Sequence, residues 1–346
     1  MSISDKIEIM VDNRPLLQYN DLEISKSIDA ISKASLVVPN EQRFRDIFKP
    51  FVFSKVVIKI YGKKVFTGFC STVQLSNNFD TKEIFVACNS KASIVESSYL
   101  PLSAFPKEYK ETTIDTIIDD ICRVLNIDFK FMGYVGAPFE RVDLQPGQDV
   151  FSFITDLARQ RGFLITDDED GDLVIYNTSI NKKIFARYEK GNHPCEDISM
   201  NINFEQYYSS ITGFVPDSAE KGKNGGLFEV KNPFNVGINK PYVEELRDID
   251  ASEIEPAVKH LAGRMLGEIC SVNVLLSALK NANNELVEPY KLIVLKSPED
   301  YIKNFYTFLI ADVTYQKSSS TGLTASLKCV LPAMYTGEIP EVLPWQ

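Results

Sequence analysis

The densest run of carboxylates in the chain is Asp167-Asp168-Glu169-Asp170-Gly171-Asp172. Calcium binding is the first chemistry it offers. A calcium loop needs oxygens at alternate positions, Gly at the sixth and a bidentate Glu at the twelfth. With Gly171 sixth, Thr166 stands first and Asn177 twelfth, so both ends of the pattern fail. The run reads as a solvated hairpin turn with Gly171 at positive φ. His193-Pro194-Cys195 offers two metal ligands where zinc needs three or four, and no partner pair has zinc spacing. His260, beside Val258 and Leu261, reads as a part-buried structural histidine.

The remaining chemistry is sparse. The chain has 2 histidines and 6 cysteines: Cys70, Cys88, Cys122, Cys195, Cys270 and Cys329. They form no C-x-x-C, lie mostly in apolar stretches, and read as buried free thiols of a chain assembled in a reducing compartment. Walker A, G-x-G-x-x-G, G-x-S-x-G and H-E-x-x-H motifs are absent. The expectation is therefore no catalytic residues, no cofactor-binding residues and no metal ligands. A net charge of −10 on 346 residues argues against a general nucleic-acid grip, which needs a basic surface. No apolar run reaches the ~18 residues of a membrane span. The start MSISDKIEIM is too polar for a signal peptide.

The elements that would position any site fall into three stretches. Residues 1–100 read as strands: Lys6–Val11, Ser35–Val38, a hairpin of Lys55–Tyr61 and Val65–Leu75 around Gly62, and Glu83–Cys88. The period then changes. Ile114, Ile117, Ile118, Ile121 and Leu125 mark one helical face, with Thr112 and Asp115 resembling a capping box. A strand over Asp128–Met132 follows. Val150, Phe153, Ile154, Leu157 and Ala158 mark a second helix, which Gly162 stops and a hairpin over Phe163–Tyr176 follows. Strand patterns resume over Lys183–Tyr188, Ile198–Phe204 and Tyr207–Val215. Then come a polar loop (Ser218–Gly226) and a helix over Ser252–Glu268 preceded by the acids Glu244, Glu245, Asp248 and Asp250. Long strands close the chain: Ser271–Leu279, Tyr290–Lys296, Tyr306–Tyr315 and Gly322–Leu331, the last two flanking Gln316–Thr321.

The central stretch resembles the α/β module of the baseplate hub proteins of Mu-like contractile-tailed phages. The resemblance rests on Pro138–Leu144, on Gln148–Gly162 with Ala158, Arg159 and Gly162 filling an A-R-x-x-G helix end, and on the strands Phe163–Thr166 and Gly171–Tyr176. Val65-Phe66-Thr67-Gly68-Phe69 is similar to the family's strand containing T-G, and the closing strands with a Pro-containing tail match in kind. Order and spacing carry it. The resemblance implies a β-rich α+β chain with two tail-tube-like β-barrels around an α/β module. The expected divisions are 1–100 for the first barrel and 101–180 for the module. The second barrel would span 181–336, with a helical insert around 249–268, and a Pro-containing tail 337–346. No repeat between the two β stretches is visible in the sequence, so the duplication rests on the resemblance.

The resemblance also implies a structural, late, non-enzymatic protein of the virion tail baseplate, assembled in the bacterial host cytoplasm. A homotrimer would present six barrels and join the six-fold tail tube to the three-fold central spike. The implied partners are the tail-tube protein, a central spike protein and other baseplate proteins, with no tight nucleic-acid binding and no membrane span. Related type VI secretion spike proteins fuse this base to a β-helical needle. The sequence stops at Gln346 without needle repeats, which points to a separate spike protein. Competing readings are the hub of a tailocin or other contractile injection system, a tail-associated peptidoglycan hydrolase with paired carboxylates ~5–10 Å apart, and a carbohydrate-binding module. The 15 Tyr and 22 Phe sit mostly in apolar alternation, which argues for core rather than binding platforms.

Overall fold

The computed structural model describes residues 7–78, 82–177, 183–216, 225–234, 237–246, 254–318 and 322–346. The first stretch folds as β1 (Ile7–Val11), β2 (Arg14–Pro15), β3 (Asp21–Ser27), β4 (Lys33–Pro39), α1 (Gln42–Ile47), β5 (Lys55–Ile60), β6 (Lys63–Asn77) and β7 (Lys82–Ser90). Alternation drives it: β4 buries Ala34, Leu36 and Val38, and β5 buries Val56, Ile58 and Ile60. Tyr61 and Gly62 both take positive φ in the turn from β5 to β6, the backbone a two-residue hairpin requires. β3 and α1 were not foreseen from the sequence.

The central stretch comprises β8 (Lys107–Thr112), α2 (Ile114–Leu125), β9 (Phe129–Met132), β10 (Phe139–Leu144), α3 (Val150–Gln160), β11 (Phe163–Asp167) and β12 (Leu173–Asn177). The isoleucine face of α2 and the stripe of α3 are buried in one core. The expected capping box is absent. Thr113, not Thr112, precedes the helix and makes no side-chain cap, while the Thr112 hydroxyl donates to the Lys110 carbonyl at 2.8 Å. The cap lies on α3, where the Ser152 amide donates to Asp149 at 2.6 Å.

The last stretch comprises β13 (Ile184–Glu189), β14 (Cys195–Ile202), β15 (Ser210–Val215), β16 (Gly226–Lys231), β17 (Pro241–Glu245), α4 (Ile254–Glu268), β18 (Cys270–Leu276), β19 (Leu292–Ser297), β20 (Ile302–Ser318), β21 (Gly322–Val330) and α5 (Ala333–Thr336). Glu244 and Glu245 belong to β17, so they do not lead into the helix as expected. Asp248, Asp250, residues 252–253, most of the 218–226 loop and 319–321 lie outside the described residues. α4 packs on β15 and β16 with Ile254, Val258 and Ala262, and on α5 with two glycines. A Cβ on Gly267 would meet Met334 Cβ at 2.3 Å, and one on Gly263 the Gly337 Cα at 2.4 Å.

Thirteen strands form one sheet in the order β14-β18-β21-β20-β3-β4-β7-β6-β5-β1-β2, with β19 joined to β20 and β13 to β19. Among the described residues the ladders do not close on themselves. Within this sheet the duplication that the sequence conceals is plain. The orders β3-β4-β7-β6-β5 and β14-β18-β21-β20-β19 are the same chain order and the same antiparallel pairings, used twice. Even an irregularity repeats. β6 carries a bulge between Cys70 and Thr72 against β7, and β20 one between Ile310 and Asp312 against β21. The two units meet where β20 pairs with β3, and one apolar core runs beneath both.

Candidate functional site

The joined units present one continuous sheet face on the side away from that core. Because Leu22, Ile24, Leu36, Val313, Tyr315, Ala325, Leu327, Val272 and Val274 are buried, their strand neighbours point to the other side. Register places them in rows. One row runs Thr324, Gln316, Glu23, Ser35, Ala87, Thr72 from β21 to β6. The next runs Asp197, Leu275, Ser326, Thr314, Ser25, Lys33, Asn89 from β14 to β7. A third contains Ser199, Asn273, Lys328, Asp312 and Ser27. Short hydroxyl and amide side chains dominate, and the carboxylates Glu23, Asp197 and Asp312 outnumber the lysines Lys33 and Lys328 along these rows.

The joint at β20 and β3 is tied across this face. Ser25 Oγ lies 3.5 Å from Thr314 Oγ1, and Gln316 Nε2 donates to Glu23 Oε2 at 3.0 Å. Lys328 pairs with Asp312 at 3.7 Å. With three carboxylates against two lysines, these rows carry no net positive charge for a polyanion to grip. Chemically the face is a neutral-to-acidic wall of short side chains.

The acidic turn is placed differently from the solvated loop expected of it. Asp167 is buried and accepts from the Ser32 amide at 2.7 Å. Lys64 pairs with Asp170, Lys91 with Asp128 and with Asp172 at 3.2 Å, and Lys130 with Asp168 and with Asp172 at 3.0 Å. Backbone bonds complete the seat: Thr67 Oγ1 donates to the Glu169 carbonyl at 2.7 Å and the Ala92 amide to that of Gly171 at 2.9 Å. Gly171 takes φ +79° as expected, and a Cβ there would meet the Thr67 carbonyl at 2.5 Å. The turn is thus a plug that docks the α/β module on β6 and the segment after β7. Thr166, the would-be first calcium ligand, donates instead to the carbonyls of Ser27 and Ala30, both at 3.0 Å.

Burial disfavours the Asp172 carboxylate, but hydrogen bonds from Lys130 and Lys91 outweigh it and hold the group below the usual carboxylate range. His260 Nε2 donates to the Tyr335 carbonyl at 3.0 Å, joining α4 to α5, and burial holds the imidazole below its ordinary range. His193 sits on a loop with Nδ1 3.5 Å from Ser277 Oγ, apart from any ligand set. Among the described residues, no group of three or more His, Cys, Asp or Glu is arranged to hold a metal, and no helix is long and apolar enough to cross a membrane. The six cysteines are unpaired and buried, and burial pushes the thiols up, to about 12 at Cys122 and Cys270. A groove of about 2000 Å³ separates α3 and β10 from α4 and β17. Its charges are mixed, with Arg141, Arg159 and Arg264 among Asp143, Asp156, Glu244 and Glu268.

Residues 97–177 match the family described as baseplate hub protein gp44-like, second domain. The residues that carried the sequence resemblance in the central stretch lie within this match. No curated protein matches by sequence. The fold of the whole chain is that of the 43 kDa tail protein of prophage MuSo2 from Shewanella oneidensis, with a TM-score of 0.77 at 20% identity over 95% of this chain and 99% of that one. It is likewise that of a tail protein from Neisseria meningitidis MC58, with a TM-score of 0.78 at 13% identity over 96% and 98% of the two chains. A more distant likeness, TM-score 0.57 at 12% identity over 97% and 80%, is to the E. coli c3393 protein. That protein is described as a type VI secretion component structurally similar to T4 bacteriophage tail proteins gp27 and gp5.

Proposed function

We propose that this chain is a structural hub of a contractile tail baseplate, three copies of which close into a ring that joins a six-fold tail tube to a three-fold spike. The single observation that carries this reading is the duplicated five-strand unit. One chain holds two similar units side by side in one sheet, so three chains in a ring supply six. The hub-family match over residues 97–177 and the tail-protein fold of the whole chain support the assignment. The likeness to a type VI secretion component supports a second reading of the same kind, the hub of another contractile injection system.

In this proposal residues 1–100 and 181–336 act as the two tube-like units, residues 101–180 as the module plugged into the first, and 337–346 as a tail laid on the second. The continuous sheet face lines the bore. The hub works by shape and symmetry, without catalysis, in the virion tail, and its partners are the tube protein, a central spike protein and neighbouring baseplate proteins. The test is the mass of the purified protein by light scattering at micromolar concentration. Three times 39.0 kDa is expected, and a stable monomer contradicts the reading.

A further inference from the structure

The two units have the same strand order, so their edges can be compared strand by strand. The repeated bulges fix the correspondence: Ile310 opposes Cys329 as Cys70 opposes Cys88, so Asp312 matches Thr72 and Tyr315 matches Leu75. Carried through β21-β18-β14 and β7-β4-β3, the same correspondence sets Met200 against Ile24 and Asn201 against Ser25. In the second unit the far half of β20, Asp312–Lys317, pairs with β3. In the first unit β5 pairs with β6 only as far as Phe69. Among the described residues no strand pairs with the outer edge of Thr72–Asn77, nor with the outer edge of β14. One chain therefore carries one made joint, β20 with β3, and the two halves of a second, β6 and β14.

We propose that β6 of one copy pairs antiparallel with β14 of the next, in the register of the joint already made within the chain. This rests on the ring reading above. The register sets Gln74 opposite Asn201 and Leu75 opposite Met200. Leu75 supplies independent support. Its counterpart Tyr315 is 1% exposed, paired with the buried Ile24, whereas Leu75 is 56% exposed. A core-side residue left in water marks a missing strand beside it. On the opposite face Gln74 and Asn201 bring two amides together, with no charge conflict. On β14 the outward carbonyl of Ile198 is already taken by Lys190 Nζ at 2.9 Å, which ends the proposed ladder on that side.

The full chain carrying Gln74→Cys and Asn201→Cys tests the pairing. Mild oxidation is expected to give covalent dimers and trimers on a non-reducing denaturing gel, reversed by reductant. The unsubstituted chain with its six buried thiols is the background. Gln74→Cys with Asp197→Cys is four residues out of register, about 13 Å along the strand. It should cross-link about ten-fold less, because a disulfide does not span that gap. Leu75→Asp should weaken association while leaving the unfolding midpoint of the separated chain unchanged. A trimer by mass that does not cross-link at 74 and 201 overturns the pairing and leaves the ring standing. Equal cross-linking of both pairs overturns the register. Covalent species beyond three uphold the pairing and overturn the three-copy reading, and an uncross-linked monomer overturns both.

Discussion

At the scale of single residues, the stability of the α/β module rests on a few large side chains. Phe153 lies on the buried stripe of α3, which packs on β11, and shares a core with Phe163, whose ring meets Phe131 edge-on at 5.1 Å. Phe153→Ala removes a buried ring from a site that neighbouring strands hold open. It should cost about 3–5 kcal/mol, read as a lowered denaturant midpoint at unchanged slope. No change in the midpoint contradicts the packing. This residue was legible in the sequence because a helix buries positions three and four apart. His260 was legible as structural because it lies on an expected helix beside the apolar Val258 and Leu261. The role of the acidic turn was not, because the lysines that receive it lie up to about a hundred positions away in the chain, and no local pattern records that distance.

Elements show the same division. α2 and α3 are amphipathic and announce themselves, whereas β8, KEYKET, has few apolar residues and exists because β10 pairs with it along its length. Two of the three strands beside α4 are hidden in a similar way, since Gly226–Lys231 and Pro241–Glu245 are short and polar on one side. The docking turn between β11 and β12 yields an expectation about pH. Asp172 has a folded-state pKa below its unfolded value, so its contribution is complete above the ordinary carboxylate range and is lost as pH falls below it. The unfolding midpoint should therefore drop as pH is lowered from about 5 to about 3. Asp172→Asn should lower the midpoint at pH 7 and flatten that drop. An unchanged drop in the variant shows that this ion-paired plug does not couple the module to the sheet.

For the whole molecule, the duplication was the largest feature concealed from sequence reading. Strand units need only alternation, and alternation is satisfied by any apolar residue. At the matched positions around the bulges, Cys88 and Cys329 coincide while Phe85 faces Ser326 and Ala87 faces Lys328, so identity is almost erased where geometry is kept. The charge of the whole molecule bears on passage through a ring. Three copies of a −10 chain carry roughly −30, and the sheet face assigned to the bore is neutral to acidic. In a gel-shift assay at physiological salt the protein should leave duplex DNA unretarded. Tight, salt-sensitive retardation contradicts a bore lined by this face. The most direct test of the hub assignment is electron-microscope imaging of the purified protein, averaged without imposed symmetry. The expected view down the axis is a closed ring with a central hole and six similar lobes, alternating between the two units of each chain. Compact particles of one chain, or rings with any other number of lobes, contradict it.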